Sequence, residues 1–209
     1  MPLALPLWIR IAPLAMLVAA QQVTAADLGG RDGVYRSYVS GNPEDVVRPT
    51  SGLLVLQGGG DDIDENYIRM GARSGGGAFR NDVAIAASTR SLLAEALVGT
   101  GFGYRADRRR AQARVLHDVL PAVRDIRRMG GAAIDMCSVA CGRLDAYYEY
   151  GISSWDVAAG TVIALESGAA VTDLAGRPTL GPMIVAAGAP LHGDLCVLLR
   201  AARADQMPT

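Results

Sequence analysis

The chain has 209 residues, of which 50% are hydrophobic and 20% charged, with a formal net charge of −1. That composition suits one large domain or two small ones with a buried core. The balanced charge and the lack of a basic face interleaved with aromatics argue against a nucleic-acid binder. An odd cysteine count (Cys137, Cys141 and Cys196) argues against a disulfide framework. Cys137 and Cys141 are four apart and share one helical face, where they read as small buried side chains.

Residues 1–26 read as a signal peptide. Arg10 supplies a positive start, Ile11 to Ala20 is an uncharged apolar run, and Val23-Thr24-Ala25-Ala26 offers small residues for cleavage. The run is too short for a stable membrane span. A working leader implies an exported or periplasmic protein, and its absence a cytoplasmic one. Residues 27–50, rich in Gly, Ser, Asn and Pro, read as loop. Gly52 to Gln57 reads as a buried strand running into Gly58-Gly59-Gly60. Asp61, Asp62, Asp64 and Glu65 follow at once. They would repel a phosphate from the glycine loop and lack the spacing of a calcium loop. They are expected to open a helix through Ile68 and Met70. Ser74-Gly75-Gly76-Gly77 is the expected linker, which divides the chain into a segment 27–75 and a domain 76–209.

After that linker the pattern becomes regular. Strands are expected at Val83–Ala87, Leu97–Gly99, Val123–Arg128, Leu144–Tyr150, Ala170–Asp173 and Met183–Ala187. Helices are expected at Ala106–Leu120, Ala132–Arg143, Trp155–Glu166 and Leu191–Ala204. The order predicts an α/β fold, a layered sheet with flanking helices, built around one sheet. The basic run Arg105 to Arg114 reads as the solvated face of a helix.

The stretch Tyr147 to Ser167 carries the most chemistry. A strand ends at Glu149, a turn occupies Gly151 to Ser154, and a helix follows with Asp156 in its first turn. Ser153 or Ser154 can cap that helix. Ala158, Ala159 and Gly160 leave room for a close neighbour. Two carboxylates at a helix start suit an anion bridged by a metal ion. An acidic first turn favoured by the helix dipole is the plainer reading.

From Gly76 onward the sequence resembles the C-terminal half of the inositol monophosphatase family. Four blocks carry the likeness: Gly76-Gly77-Ala78-Phe79-Arg80-Asn81, Arg127 to Cys137, Asp145-Ala146-Tyr147-Tyr148-Glu149, and Trp155-Asp156-Val157-Ala158-Ala159-Gly160 with Glu166-Ser167-Gly168-Ala169. The resemblance implies hydrolysis of a phosphate monoester, such as an inositol phosphate, with Mg2+. It implies Asp156 as a magnesium ligand near the substrate oxygens and Glu149 as the partner of a polyol hydroxyl. It implies that the backbone of Gly130, Gly131 and Ala132 lines the substrate pocket. The family's first half supplies a glutamate and an Asp-Pro-x-Asp-Gly-Thr segment for the catalytic metals, and the sequence contains no such segment. A catalytically incomplete chain is therefore expected, or alternatively a non-catalytic α/β binding module.

The opening third is similar to the start of secreted cyanophycinase-like serine peptidases, on the leader, on Ser40-Gly41-Asn42-Pro43-Glu44-Asp45 and on Gly52 to Gly77. Ser88 and Ser91 lack the flanking glycines that such a nucleophile needs. Together the two likenesses describe a recombined or truncated chain. The missing half would leave an apolar face uncovered, which predicts either association, as a homo-oligomer, or poor solubility.

Overall fold

The computed structural model describes the strands Leu17–Val23, Gly33–Ser40, Ser51–Gly58 and Tyr67–Arg73, and residues 75–208. Those four strands are β1 to β4. With β5 (Ala78–Arg80) and β6 (Val83–Ala84) they form an antiparallel meander in the order β1-β2-β3-β4-β5-β6. A second sheet holds β7 (Leu97–Thr100), β8 (Asp125–Arg127), β9 (Ala146–Tyr150), β10 (Ala169–Thr172) and β11 (Met183–Gly188), in the order β10-β11-β9-β7-β8. Its β7, β8 and β9 run parallel, while β10 and β11 are antiparallel to their neighbours. The helices are α1 (Ala106–Val119), α2 (Ala132–Ala140), α3 (Ser154–Glu166) and α4 (Ala189–Ala201).

The second sheet is apolar on both faces, and its side chains alternate with the period of two that a strand imposes. On one face Tyr147, Ile184 and Ala186 pack with α2 and α3 and with Met70, Ala72 and Ala78 of the first sheet. On the other, Val98, Ala146, Tyr148, Val185 and Ala187 pack with Val115 and Val119 of α1 and with Leu191, Leu195 and Leu199 of α4. Two helices therefore lie between the sheets and two lie outside.

Helix α3 is the centre of this arrangement. Every residue from Val157 to Ala164 is buried, as expected of a helix that is apolar all round. Gly160 lets α2 approach closely, because a Cβ there would lie 2.8 Å from Met136 Cβ. At the far end of α3 the Glu166 carboxylate accepts the backbone N–H groups of Gly75 (2.9 Å) and Gly77 (3.0 Å). A carboxylate near a helix C-terminus is disfavoured by the dipole, and these two donors offset that cost.

The structure corrects several expectations. The described residues form two sheets, not one. Residues 27–50, read as loop, contain the strand Gly33–Ser40. Ile68 and Met70, read as helix, lie in β4. They are two residues apart, which is the spacing of one strand face. The strand expected over Val83–Ala87 covers only Val83–Ala84. The glycine stretch read as a linker joins β4 to β5, which pair through Ala72 and Ala78. Of the leader run Ile11 to Ala20, only Leu17 onward is described, in β1. The cleavage segment 24–26, Gly59, Gly60 and the acidic run 61–65 lie outside the described residues. Among the described residues no helix is long and apolar enough to cross a membrane.

Glu166→Ala should cost about 1–2 kcal/mol in urea denaturation by stranding two backbone donors. Glu166→Gln, which keeps one acceptor oxygen, should recover part of that loss.

Candidate functional site

The site is built where three elements end. Strand β9 delivers Tyr147 and Glu149 to one face, because they are two residues apart. The chain then turns at Gly151, whose φ of +90° suits glycine, and enters α3. Asp156 sits in the first turn of α3, where its Oδ2 accepts the Ser153 N–H at 3.1 Å. Asp156 thus sits in an acidic first turn, as in the plainer reading, and also accepts the N-cap amide of its own helix, a capping role that the sequence pattern assigns to Ser153 or Ser154. Its other oxygen can still meet a ligand.

Helix α2 comes in from the side. Gly130, with φ of +103°, turns the chain, and Gly131 is the N-cap. The first amides of α2, at Ala132 and Ala133, have no carbonyl within the helix to pair with. Asp135 follows in the same first turn and is buried at 1% exposure.

The adjacent strand β7 borders Glu149 on the other side. Its Thr100 pairs with Tyr148, so Gly101 comes beside Glu149. A Cβ at Gly101 would lie 2.0 to 2.3 Å from the Glu149 carboxyl atoms. Glycine there leaves the carboxylate the space that a side chain would otherwise take.

The electrostatics tie these groups together. The buried Tyr147 hydroxyl donates to Glu149 Oε2 at 2.5 Å. Burial raises the Glu149 carboxyl above the usual carboxylate range; the Tyr147 hydrogen bond and Arg128 oppose the rise, and Asp156 adds to it. Burial pushes Asp135 up to about 8, with the Glu149 charge adding to the rise and Arg128 opposing it. Tyr147 is raised well above a normal phenol, by burial first and then by Glu149, Asp135 and Asp156. Glu149 and Asp156, both expected from sequence, thus share one cluster. Sequence reasoning missed Asp135, Tyr147, Arg128 and Gly101. A lone carboxylate in the apolar run Ala133-Ile134-Asp135-Met136-Cys137, and glycines at the end of a strand, were the signals available.

The candidate nucleophile Ser88 has other work. Ser88 Oγ donates to Asp145 Oδ1 at 2.6 Å, and Asp145 also accepts the Leu97 N–H and Arg90 Nε. The histidines pair elsewhere, His117 with Asp118 and His192 with Thr172. Arg108, read as part of a solvated face, instead lies 5.9 Å above the Tyr150 ring and donates to the Pro208 carbonyl.

Comparison with known proteins identifies the class to which this two-sheet α/β fold belongs. Residues 66–204 match the model of the inositol monophosphatase family. The chain belongs to that family. The match opens ten residues ahead of the first block seen in the sequence. The Inositol-1-monophosphatase SuhB of Mycobacterium tuberculosis strain H37Rv is 53% identical over 102 residues, which are 49% of this chain and 35% of that protein. The Nus factor SuhB of Xylella fastidiosa is 43% identical over 106 residues, 50% of this chain and 38% of that one. Among solved structures, Mycobacterium tuberculosis SuhB aligns with a TM-score of 0.69 at 35% identity, covering 82% of this chain and 65% of its own. The inositol monophosphatase from Anabaena aligns with a TM-score of 0.69 at 31% identity, covering 82% and 67%. The chain therefore spans little more than a third of the length of these curated relatives.

Gly101→Ala should destabilise the protein by about 1–3 kcal/mol in urea denaturation, because the Glu149 carboxyl must be displaced. Gly193→Ala serves as the contrast. It lies in α4 with nothing within 4 Å of a new Cβ, and should stabilise by about 0.5–1 kcal/mol.

Proposed function

We propose that this chain binds a phosphorylated polyol of the inositol phosphate type in the Glu149–Asp156 pocket and hydrolyses it slowly or not at all. The observation that supports this reading most is the buried, oriented carboxylate of Glu149. Its Oε2 is held by Tyr147, which leaves Oε1 to accept a hydrogen bond from a ligand hydroxyl. Such a bond to an ionised acceptor contributes about 1.5–3 kcal/mol. The first amides of α2 offer donors to a ligand oxygen from the side of Gly130, Gly131 and Ala132.

Magnesium chemistry asks for more than this pocket holds. Mg2+ takes a near-octahedral shell of oxygens and retains several waters. Asp156 could contribute one hard oxygen to such an ion. Among the described residues no group of three or more His, Cys, Asp or Glu side chains is placed to hold a metal. The sequence also contains no Asp-Pro-x-Asp-Gly-Thr segment. The described residues fit a cation bound through one carboxylate and water, and do not fit a metal cluster that activates a nucleophile. The ligand side of the family's work is thus the part this chain's own residues support: Glu149 orients a hydroxyl, and Asp156 sets the charge near the ligand.

Calorimetry with myo-inositol 1-phosphate and Mg2+ should give saturable binding, weakened at least about tenfold by Glu149→Gln. A phosphate-release assay should stay near background. No heat with either ligand would overturn the binding reading. Robust turnover abolished by Asp156→Asn would overturn the incomplete-site reading.

A further inference from the structure

Helix α1 carries two polar residues against the strand ends, and the binding reading uses neither. Arg108 and Gln112 are four residues apart, so they share one helical face. Gln112 is 6% exposed, and both ends of its amide are engaged. The Gly103 N–H donates to its Oε1 at 2.9 Å, and its Nε2 donates to the Gly101 carbonyl at 3.4 Å. The segment held in this way is the exit of β7. It is also the backbone against which the Glu149 carboxyl lies, 2.0 to 2.3 Å from where a Cβ on Gly101 would stand. Arg108 holds the exit of β9. Its guanidinium lies 5.9 Å above the Tyr150 ring, and its Nη1 fills the notch left by Gly151, where a Cβ would lie 2.5 Å away. Its stem passes Gly103 as closely, with Cδ 2.5 Å from a Cβ there. Its Nε and Nη2 both donate to the Pro208 carbonyl at 3.3 Å. One cavity has Gly101, Gln112, Glu149 and Tyr150 together in its wall.

We propose that Gln112 and Arg108 are positioning residues that set where the Glu149 carboxylate stands. The proposal rests on the binding reading for the ligand but not for the geometry. Glu149 is one residue from the end of β9 and lies against the exit of β7. A shift of the 101–103 backbone changes the space that the carboxylate uses. A shift of the Tyr150–Gly151 turn moves the strand end that carries it. An amide suits the first task, because it offers one acceptor and one donor group to a loop that presents one of each. A guanidinium suits the second. It is flat, stacks on the ring, and still has two N–H groups for one carbonyl. Lysine, a point charge on a flexible stem, cannot do both. From its other side the same turn is tied by the Gly151 N–H, which donates to the Pro182 carbonyl at 2.7 Å. Arg108 therefore completes a grip on the turn that leads from Glu149 to Asp156.

The test reads the Tyr147 hydroxyl proton of the full chain by NMR, with its signal assigned by its loss in Tyr147→Phe. That proton is buried and bonded to Glu149, so it reports where the carboxylate stands. Gln112→Met, which is apolar and of similar size, should shift or broaden the signal. Arg108→Lys, which keeps the charge, should do the same. Arg110→Ala removes a charge from an exposed position of the same helix and should leave the signal in place. By calorimetry, myo-inositol 1-phosphate should bind Gln112→Met and Arg108→Lys about fivefold or more weakly than the natural protein. Its binding to Arg110→Ala should stay within about twofold. A lower urea midpoint with an unmoved hydroxyl signal is what a merely structural role predicts, and it would overturn the proposal. Undiminished binding by variants whose signal has moved would overturn it too. If Gln112→Met does not fold, an unmoved signal in Arg108→Lys decides against it. Moved signals in both variants, with no binding by the natural protein, would uphold the positioning roles and defeat the polyol reading.

Discussion

A helix buried on every side can exist only if something covers every side, and α3 sets that requirement for the whole protein. Eight consecutive residues, Val157 to Ala164, have no exposed face. Backbone hydrogen bonding is satisfied within the helix, so the chain can place it at the centre, although the buried Thr161 hydroxyl there has no partner among the described residues. The two sheets and α2 then take the positions that apolar contact dictates. The requirement extends to residue size. Gly160 brings Met136 to within van der Waals distance, which fixes how far α2 lies from α3.

The pocket exists because this packing is interrupted at one end. Where β9 and β7 finish, the apolar alternation gives way to Tyr147, Glu149 and two glycines. A polar cluster at the edge of a dense core has few ways to relax. Its carboxyls therefore respond by changing their proton affinity, as the raised values of Asp135 and Glu149 show. Arg128, ahead of α2, tempers the accumulated negative charge without forming a closed ion pair with either group. The result is a cavity edge whose chemistry is set by burial more than by the number of charges.

Much of the second sheet and its helices was legible in the sequence. Runs such as Met183 to Ala187 and Val157 to Ala164 are bounded by turn residues, and their length separates strand from helix. The motif around Glu149 and Asp156 was legible because it is contiguous. The first sheet was harder. In Gly33 to Ser40 tyrosines and valines fall on both faces among Arg and Ser, so no clean alternation marks a strand. In Tyr67 to Arg73 the alternation of Ile68, Met70 and Ala72 with Arg69, Gly71 and Arg73 was present, but the acidic run ahead of it suggested a helix start. Asp135 was hidden for a different reason. A helix pattern places a residue on a face, and only the tertiary fold reveals that the face of Asp135 is closed to water.

The clamp at Glu166 has a consequence for how the molecule comes apart. One carboxylate at the end of α3 holds the turn that joins β4 to β5, while the other end of the same helix carries Asp156. The helix is about 20 Å long, and neither end can be released without disturbing the core between them. The two sheets are therefore coupled thermodynamically through a shared element, and opening of the hairpin and opening of the pocket draw on the same free energy. The sequence suggests two pieces joined at a run of glycines, and the Glu166 carboxylate ties that run to the far end of α3.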